Sequence, residues 1–139
     1  MKRKVLILCT GNSCRSQMAE AIINARRGDQ WQAVSAGTKP AAQVHPKAFA
    51  ALSEIGIQST NDAHPKHVNE FLGKTFDLVV TVCDSAAENC PVWPGQGRRV
   101  HLGFPDPAKA TGTDDEVMAV FRAVRDDIAR KLPALLDEM

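Results

Sequence analysis

The chain has no apolar run long enough to cross a bilayer, which takes roughly 20 consecutive residues. Its first apolar stretch, Val5-Leu6-Ile7-Leu8-Cys9, follows the basic start Met1-Lys2-Arg3-Lys4 but breaks at Thr10-Gly11-Asn12, too soon for an export signal. A cytoplasmic protein without membrane attachment is expected. There is no surplus of charge either: 17 lysines and arginines against 16 aspartates and glutamates leave a net +1. Bulk electrostatics therefore gives no grip on nucleic acid or an acidic membrane. A small anion needs only a local positive site, so that option survives. Repeats, low-complexity tracts and linkers are absent, and 139 residues suit a single domain, expected to span residues 1–139.

Metal-ligand spacing is missing as well. Structural zinc sites favour Cys-x2-4-Cys pairs, whereas the four cysteines stand at Cys9, Cys14, Cys83 and Cys90. His45, His64, His67 and His101 share no ligand pattern, and no metal is expected. Two structural disulfides would suit a secreted protein. Without an export signal, the thiols read instead as reactive or simply buried.

Along the chain, Lys4 to Leu8 is short and continuously apolar, as a central parallel strand covered on both faces would be. From Arg15 the spacing turns helical through Met18, Ala19, Ile22 and Ile23, with Gly28 closing the helix. Trp31 to Ser35 reads as a second strand, and Pro46 opens a second helix carrying Phe49, Leu52 and Ile55. Phe76 to Val82, β-branched and apolar, is the clearest strand. A short helix with Ser85 and Glu88 in capping-box spacing is expected next, then a weak strand over Arg98 to Leu102. Thr113-Asp114-Asp115-Glu116 caps a long final helix whose buried stripe is Val117, Val120, Phe121, Val124, Ile128 and Leu132. Pro133 is expected to kink or end it. The alternation predicts an α/β fold, an open parallel four-stranded sheet flanked by helices on both faces. Ligands of such sheets sit at the carboxyl ends of the strands. Cys9, Cys83 and Asp106 each follow a predicted strand, so they should meet at one edge.

Cys9-Thr10-Gly11-Asn12-Ser13-Cys14-Arg15-Ser16 is the most informative segment. A cysteine ends a buried strand, five small or polar residues follow, and an arginine opens a helix. Such a loop can curl so that its N–H groups and the helix end together hold an anion. Gly11 is expected to supply the unusual dihedrals, and the planar fork of Arg15 matches two oxygens of a tetrahedral anion. Cys9 sits at the floor, where the positive field should lower its pKa. Ser16 could donate a hydrogen bond to its thiolate. Cys14 reads as a packing residue within the loop.

The segment Cys9 to Glu20 resembles the phosphate loop of the low-molecular-weight protein tyrosine phosphatase family, and its wording is similar to that family's thioredoxin-coupled arsenate reductases. The likeness continues through Ser35-Ala36-Gly37, Asp77 to Cys83, Cys90-Pro91 and Gly103-Phe-Pro-Asp-Pro107. It implies that Cys9 attacks arsenate, Asp106 acts as general acid, and the oxidation passes to Cys83 and then Cys90. Thioredoxin would reduce the resulting Cys83–Cys90 disulfide, with no organic cofactor. Seven residues of helix span about 10.5 Å, beyond the roughly 6.8 Å limit for disulfide Cα atoms. The segment between Cys83 and Cys90 should therefore unwind on oxidation. Phosphate or sulfate would compete for the loop, and the protein is expected to be a monomer.

The same residues suit a tyrosine phosphatase in which Cys83 and Cys90 merely protect Cys9, or a thiol-based redox or arsenical sensor. The chain has no tyrosine, whereas the family's phosphatases place tyrosines beside the general-acid loop to hold aromatic substrates. Weak phosphatase activity remains compatible with the loop. Some reductases of this branch bind potassium through residues resembling Asn12, Glu20 and Ser35 plus an aspartate, but His64 falls near that aspartate's place. Asn12 and Ser35 are expected to brace the loop instead.

Overall fold

A computed structural model of the chain describes residues 2–58, 63–84, 93, 95 and 97–139. Four strands, β1 (Arg3–Cys9), β2 (Trp31–Gly37), β3 (Leu78–Thr81) and β4 (Arg98–His101), form one parallel sheet in the order β2-β1-β3-β4. Three helices connect and follow them: α1 (Arg15–Arg26), α2 (Pro46–Glu54) and α3 (Asp114–Asp137). The α/β fold and the parallel four-stranded sheet are as expected; among the described residues the three α-helices pack on one face of the sheet.

Side chains alternate across β1 because successive residues of a strand point to opposite faces. Val5, Ile7 and Cys9 face a core shared with Met18 and Ile22 of α1, Ala48 and Leu52 of α2, and Phe121, Ile128 and Leu136 of α3. Leu6 and Leu8 face a smaller cluster with Ala36, Phe71, Phe76, Val79 and Trp93. A 3-10 turn at Val68–Phe71 covers that second face among the described residues. Burying both faces of β1 explains why its sequence is an unbroken apolar run.

Local rules account for the helix ends. The Thr113 hydroxyl accepts from the Glu116 N–H at 3.2 Å and the Glu116 carboxylate accepts from the Thr113 N–H at 3.3 Å, the expected capping box of α3. His45 and His67 also cap, their Nδ1 atoms accepting from Lys47 N–H and Asn69 N–H.

One expectation for α3 is narrowed and one needs correction. Of the kink or end expected at Pro133, the end does not occur: the helix continues to Asp137, with Leu132, Pro133 and Leu136 all buried. Val120 is 37% exposed rather than part of the buried stripe, which runs instead through Phe121, Val124, Ile128, Leu132 and Leu136. The expected helix at Ser85–Glu88 lies outside the described residues.

Candidate active site

Cys9 ends β1 and Arg15 opens α1, so the loop between them leads from the carboxyl edge of a buried strand into the amino end of a helix. Its carbonyls turn outward. Thr10 O accepts from Lys39 N–H at 3.0 Å, Gly11 O from Ala41 N–H at 2.9 Å, Ser13 O from His45 N–H at 3.0 Å, and Cys14 O from Met18 N–H at 2.9 Å. Asn12 O accepts from the Gln17 side-chain amide at 3.2 Å. In a trans peptide the N–H points opposite to the C=O. The N–H groups of residues 11–15 are thereby directed the other way, toward a cavity of about 440 Å³. Cys9 to Arg15 line it with Thr38, Lys39, Asp106 and Lys109. No side chain caps α1 at Cys14, so the positive end of the helix adds to this concave array of donors.

Arg15 is buried, and its Nη1 donates to Phe104 O at 3.1 Å while Nη2 lies 3.7 Å from Asp106 Oδ2. These two contacts fix the guanidinium plane at the wall of the cavity. Asp106 is itself held: its Oδ1 accepts from Ala108 N–H at 3.0 Å, capping a 3-10 turn at Pro107–Lys109. One carboxylate oxygen thus anchors the turn and the other faces the cation.

The left-handed residue of the loop is Asn12, with φ of 51°, and not Gly11. Asparagine tolerates this region better than most side chains, and here its side chain is fully engaged. Nδ2 donates to Ser16 Oγ at 2.8 Å; Oδ1 accepts from Lys66 N–H at 2.8 Å and Gln17 Nε2 at 3.1 Å. Ser16 and Ser35 are buried behind the loop, and the Ser35 hydroxyl donates to Glu20 Oε1 at 3.0 Å. Asn12 thus bonds to Ser16 and to Lys66, whereas Ser35 bonds Glu20. Gly37 matters for another reason: a Cβ there would meet Thr10 O at 2.2 Å.

Cys9 and Cys14 are both buried, and neither is in a disulfide. Burial pushes the Cys14 thiol up to about 11, with a smaller upward push from Asp106 and partial relief from the Ser13 hydroxyl. The Cys14 thiol is therefore protonated at neutral pH. Val82 N–H donates to Leu8 O at 2.9 Å, so the chain reaches Cys83 at the same carboxyl edge of the sheet where β1 ends in Cys9. It is wholly buried in the core cluster that contains Cys9. Cys83 is disulfide-bonded. Cys90 lies outside the described residues.

Sequence reasoning missed Gln17, Gly37, Thr38, Lys39, Lys66 and Lys109. Gly37 ends β2, and only the position of the loop shows the close approach it permits. Lys66 carries no local signal, because it reaches the loop from 54 positions away. No aromatic side chain lines the cavity among the described residues.

Residues 4–139 match the low molecular weight phosphotyrosine protein phosphatase family. A protein of Halalkalibacterium halodurans named arsenate reductase is 50% identical over 131 residues, 94% of this chain and 93% of that one. An arsenate reductase of Bacillus subtilis is 44% identical over 133 residues, 95% and 94% of the two chains. Among solved structures, an arsenate reductase from Archaeoglobus fulgidus superposes with a TM-score of 0.80 at 32% identity, covering 96% of this chain and 98% of the other.

Proposed function

The chain belongs to the low molecular weight phosphotyrosine protein phosphatase family, and from that premise we propose that it is an arsenate reductase working by a three-cysteine relay in the cytoplasm as a monomer. One observation carries the relay: a disulfide-bonded Cys83 is buried in the same core cluster as Cys9, which is in no disulfide. A purely structural disulfide has no need of that neighbour, whereas a relay does. The cavity favours a small inorganic anion, since its described lining offers backbone donors, Arg15 and two lysines but no aromatic wall for an aryl ester.

Arsenate enters the loop with its oxygens on the N–H groups of residues 11–15 and on Arg15. The Cys9 thiolate attacks arsenic(V); an arsenic–oxygen bond breaks, and Asp106 supplies the proton with which that oxygen leaves as water. The thiolate of Cys83 then attacks Cys9 sulfur. The sulfur–arsenic bond breaks with its electron pair going to arsenic, which departs as arsenite, leaving a Cys9–Cys83 disulfide. Cys90 attacks Cys83 in turn and restores the Cys9 thiolate. Two electrons and two protons from thioredoxin reduce the Cys83–Cys90 disulfide. Ser16 accepts from Asn12 and so keeps its own proton to donate toward the Cys9 thiolate. Phosphate and sulfate, similar in shape and charge, compete for the same donors.

The test is arsenate turnover coupled to thioredoxin and its reductase. Steady turnover that disappears in Cys83→Ser, with phosphate binding retained, supports the relay. Efficient aryl phosphate hydrolysis without arsenate turnover would replace it with the phosphatase reading.

A further inference from the structure

The oxyanion loop is braced from behind by a cation that belongs to the chain. We propose that Lys66 is a positioning residue for oxyanion binding, its ammonium standing where a monovalent cation would otherwise be needed to balance Glu20. The proposal rests on reading the Cys9–Arg15 loop as the anion site, though not on what chemistry follows.

Lys66 makes four connections. Its N–H donates to Asn12 Oδ1 at 2.8 Å, and its carbonyl accepts from Gly37 N–H at 2.8 Å. Its ammonium donates to His64 O at 3.1 Å and lies 3.8 Å from Glu20 Oε1. The Lys66 and Glu20 side chains are only 15% and 23% exposed, so the pair is poorly screened. One residue thus joins the loop, the end of β2 and the outer side of α1.

These residues do not fit a bare potassium ion, which needs several oxygens with lone pairs to spare. Asn12 Oδ1 already accepts from Lys66 N–H at 2.8 Å and lies 3.1 Å from Gln17 Nε2, whose two hydrogens are shared among Oδ1, Asn12 O and His64 O. His64 O accepts from Gln17 Nε2 at 3.0 Å and from the Lys66 ammonium. Glu20 accepts from Ser35 and faces that ammonium, whose charge would repel a second cation.

The brace matters because Asn12 holds a left-handed backbone, φ 51°, that persists only where its surroundings impose it. Taking away the ammonium leaves the partly buried Glu20 carboxylate unbalanced. Glu20 then either pulls on Ser35 and the Lys66 segment or recruits a cation from solution. Displacement of Asn12 turns the N–H groups on either side of it away from a bound anion.

The test is phosphate binding by calorimetry to the reduced full chain, in choline chloride and in potassium chloride at equal ionic strength. The parent should bind equally in both. Lys66→Met should bind about tenfold more weakly in choline, the size of effect seen when outer partners of a bound ion are removed, and recover in potassium. Lys66→Arg, keeping the cation, should restore most of the affinity in both salts. Tighter binding by the parent in potassium, or parent-like binding by Lys66→Met in choline, would overturn the proposal. Should Lys66→Met fail to melt cooperatively, the double variant Glu20→Gln/Lys66→Met removes both charges together. It should bind weakly with no response to potassium, and a potassium response would count against the proposal. Phosphate binding requires neither arsenate turnover nor Cys83 and Cys90, so this test and that of the reductase reading fail separately.

Discussion

A Cβ on Gly37 would stand 2.2 Å from the carbonyl oxygen of Thr10 and 3.1 Å from the backbone nitrogen of Asn12. Gly37 pairs with Cys9 across the sheet, so the end of β2 is the surface against which the anion loop is shaped. Only glycine permits that approach. Gly37→Ala should therefore displace the loop, weaken phosphate binding at least tenfold, and cost about 1–3 kcal/mol of stability, as overpacking does. Gly73→Ala is the control. Its φ is +86° with nothing within 4 Å, so it should lower the melting temperature while phosphate binding is unchanged. Calorimetric titration and thermal melts of the two variants separate these outcomes.

Cys14 and Cys9 line one cavity but should differ sharply in reactivity. With its pKa pushed to about 11 by burial, about one Cys14 in ten thousand is thiolate at neutral pH. Iodoacetamide on the reduced protein should label Cys9 first, and mass mapping checks it. A first adduct at Cys14 would contradict this. The same shift sets a pH dependence. Below the ordinary value of 9.0 both folded and unfolded chains carry the neutral thiol, and its contribution to stability is complete. From about 9 toward 11 the unfolded chain ionises first, so stability falls. Cys14→Ala should flatten that alkaline decline in denaturant midpoints.

Asp106 carries two loads that a single substitution separates. Asp106→Asn keeps an oxygen to accept from Ala108 N–H, so the turn at Pro107–Lys109 should persist. It removes the group able to pass a proton to the leaving oxygen, and the carboxylate oxygen 3.7 Å from Arg15. Turnover should fall by roughly 10²–10⁴, while phosphate binds as well as before or better. Unchanged turnover would make Asp106 a turn residue only.

What was legible in the sequence follows from where the information sits. The stretch Cys9–Arg15 is contiguous, so its strand, loop and helix start could be read together, as could the capping box at Thr113. Which loop residue turns left-handed could not. Gly11 and Asn12 both tolerate that region, and the choice falls to Asn12 because Lys66 and Gln17 hold its side chain. Gly37 and Lys66 meet the loop from distant segments with no periodic signal. At Pro133 the local rule allowed a kink or an end, and burial of its neighbours on α3 decides against the end.

The relay is tested most directly by exposing reduced Cys90→Ser to arsenate and mapping disulfides by mass spectrometry. Without the last thiol, Cys83 should remain joined to Cys9, with arsenite released in equal amount to the trapped protein and no further turnover by thioredoxin through the missing Cys83–Cys90 bond. Repeated rounds of arsenite formation at the parent rate, or one round with Cys9 and Cys83 left unjoined, would contradict it.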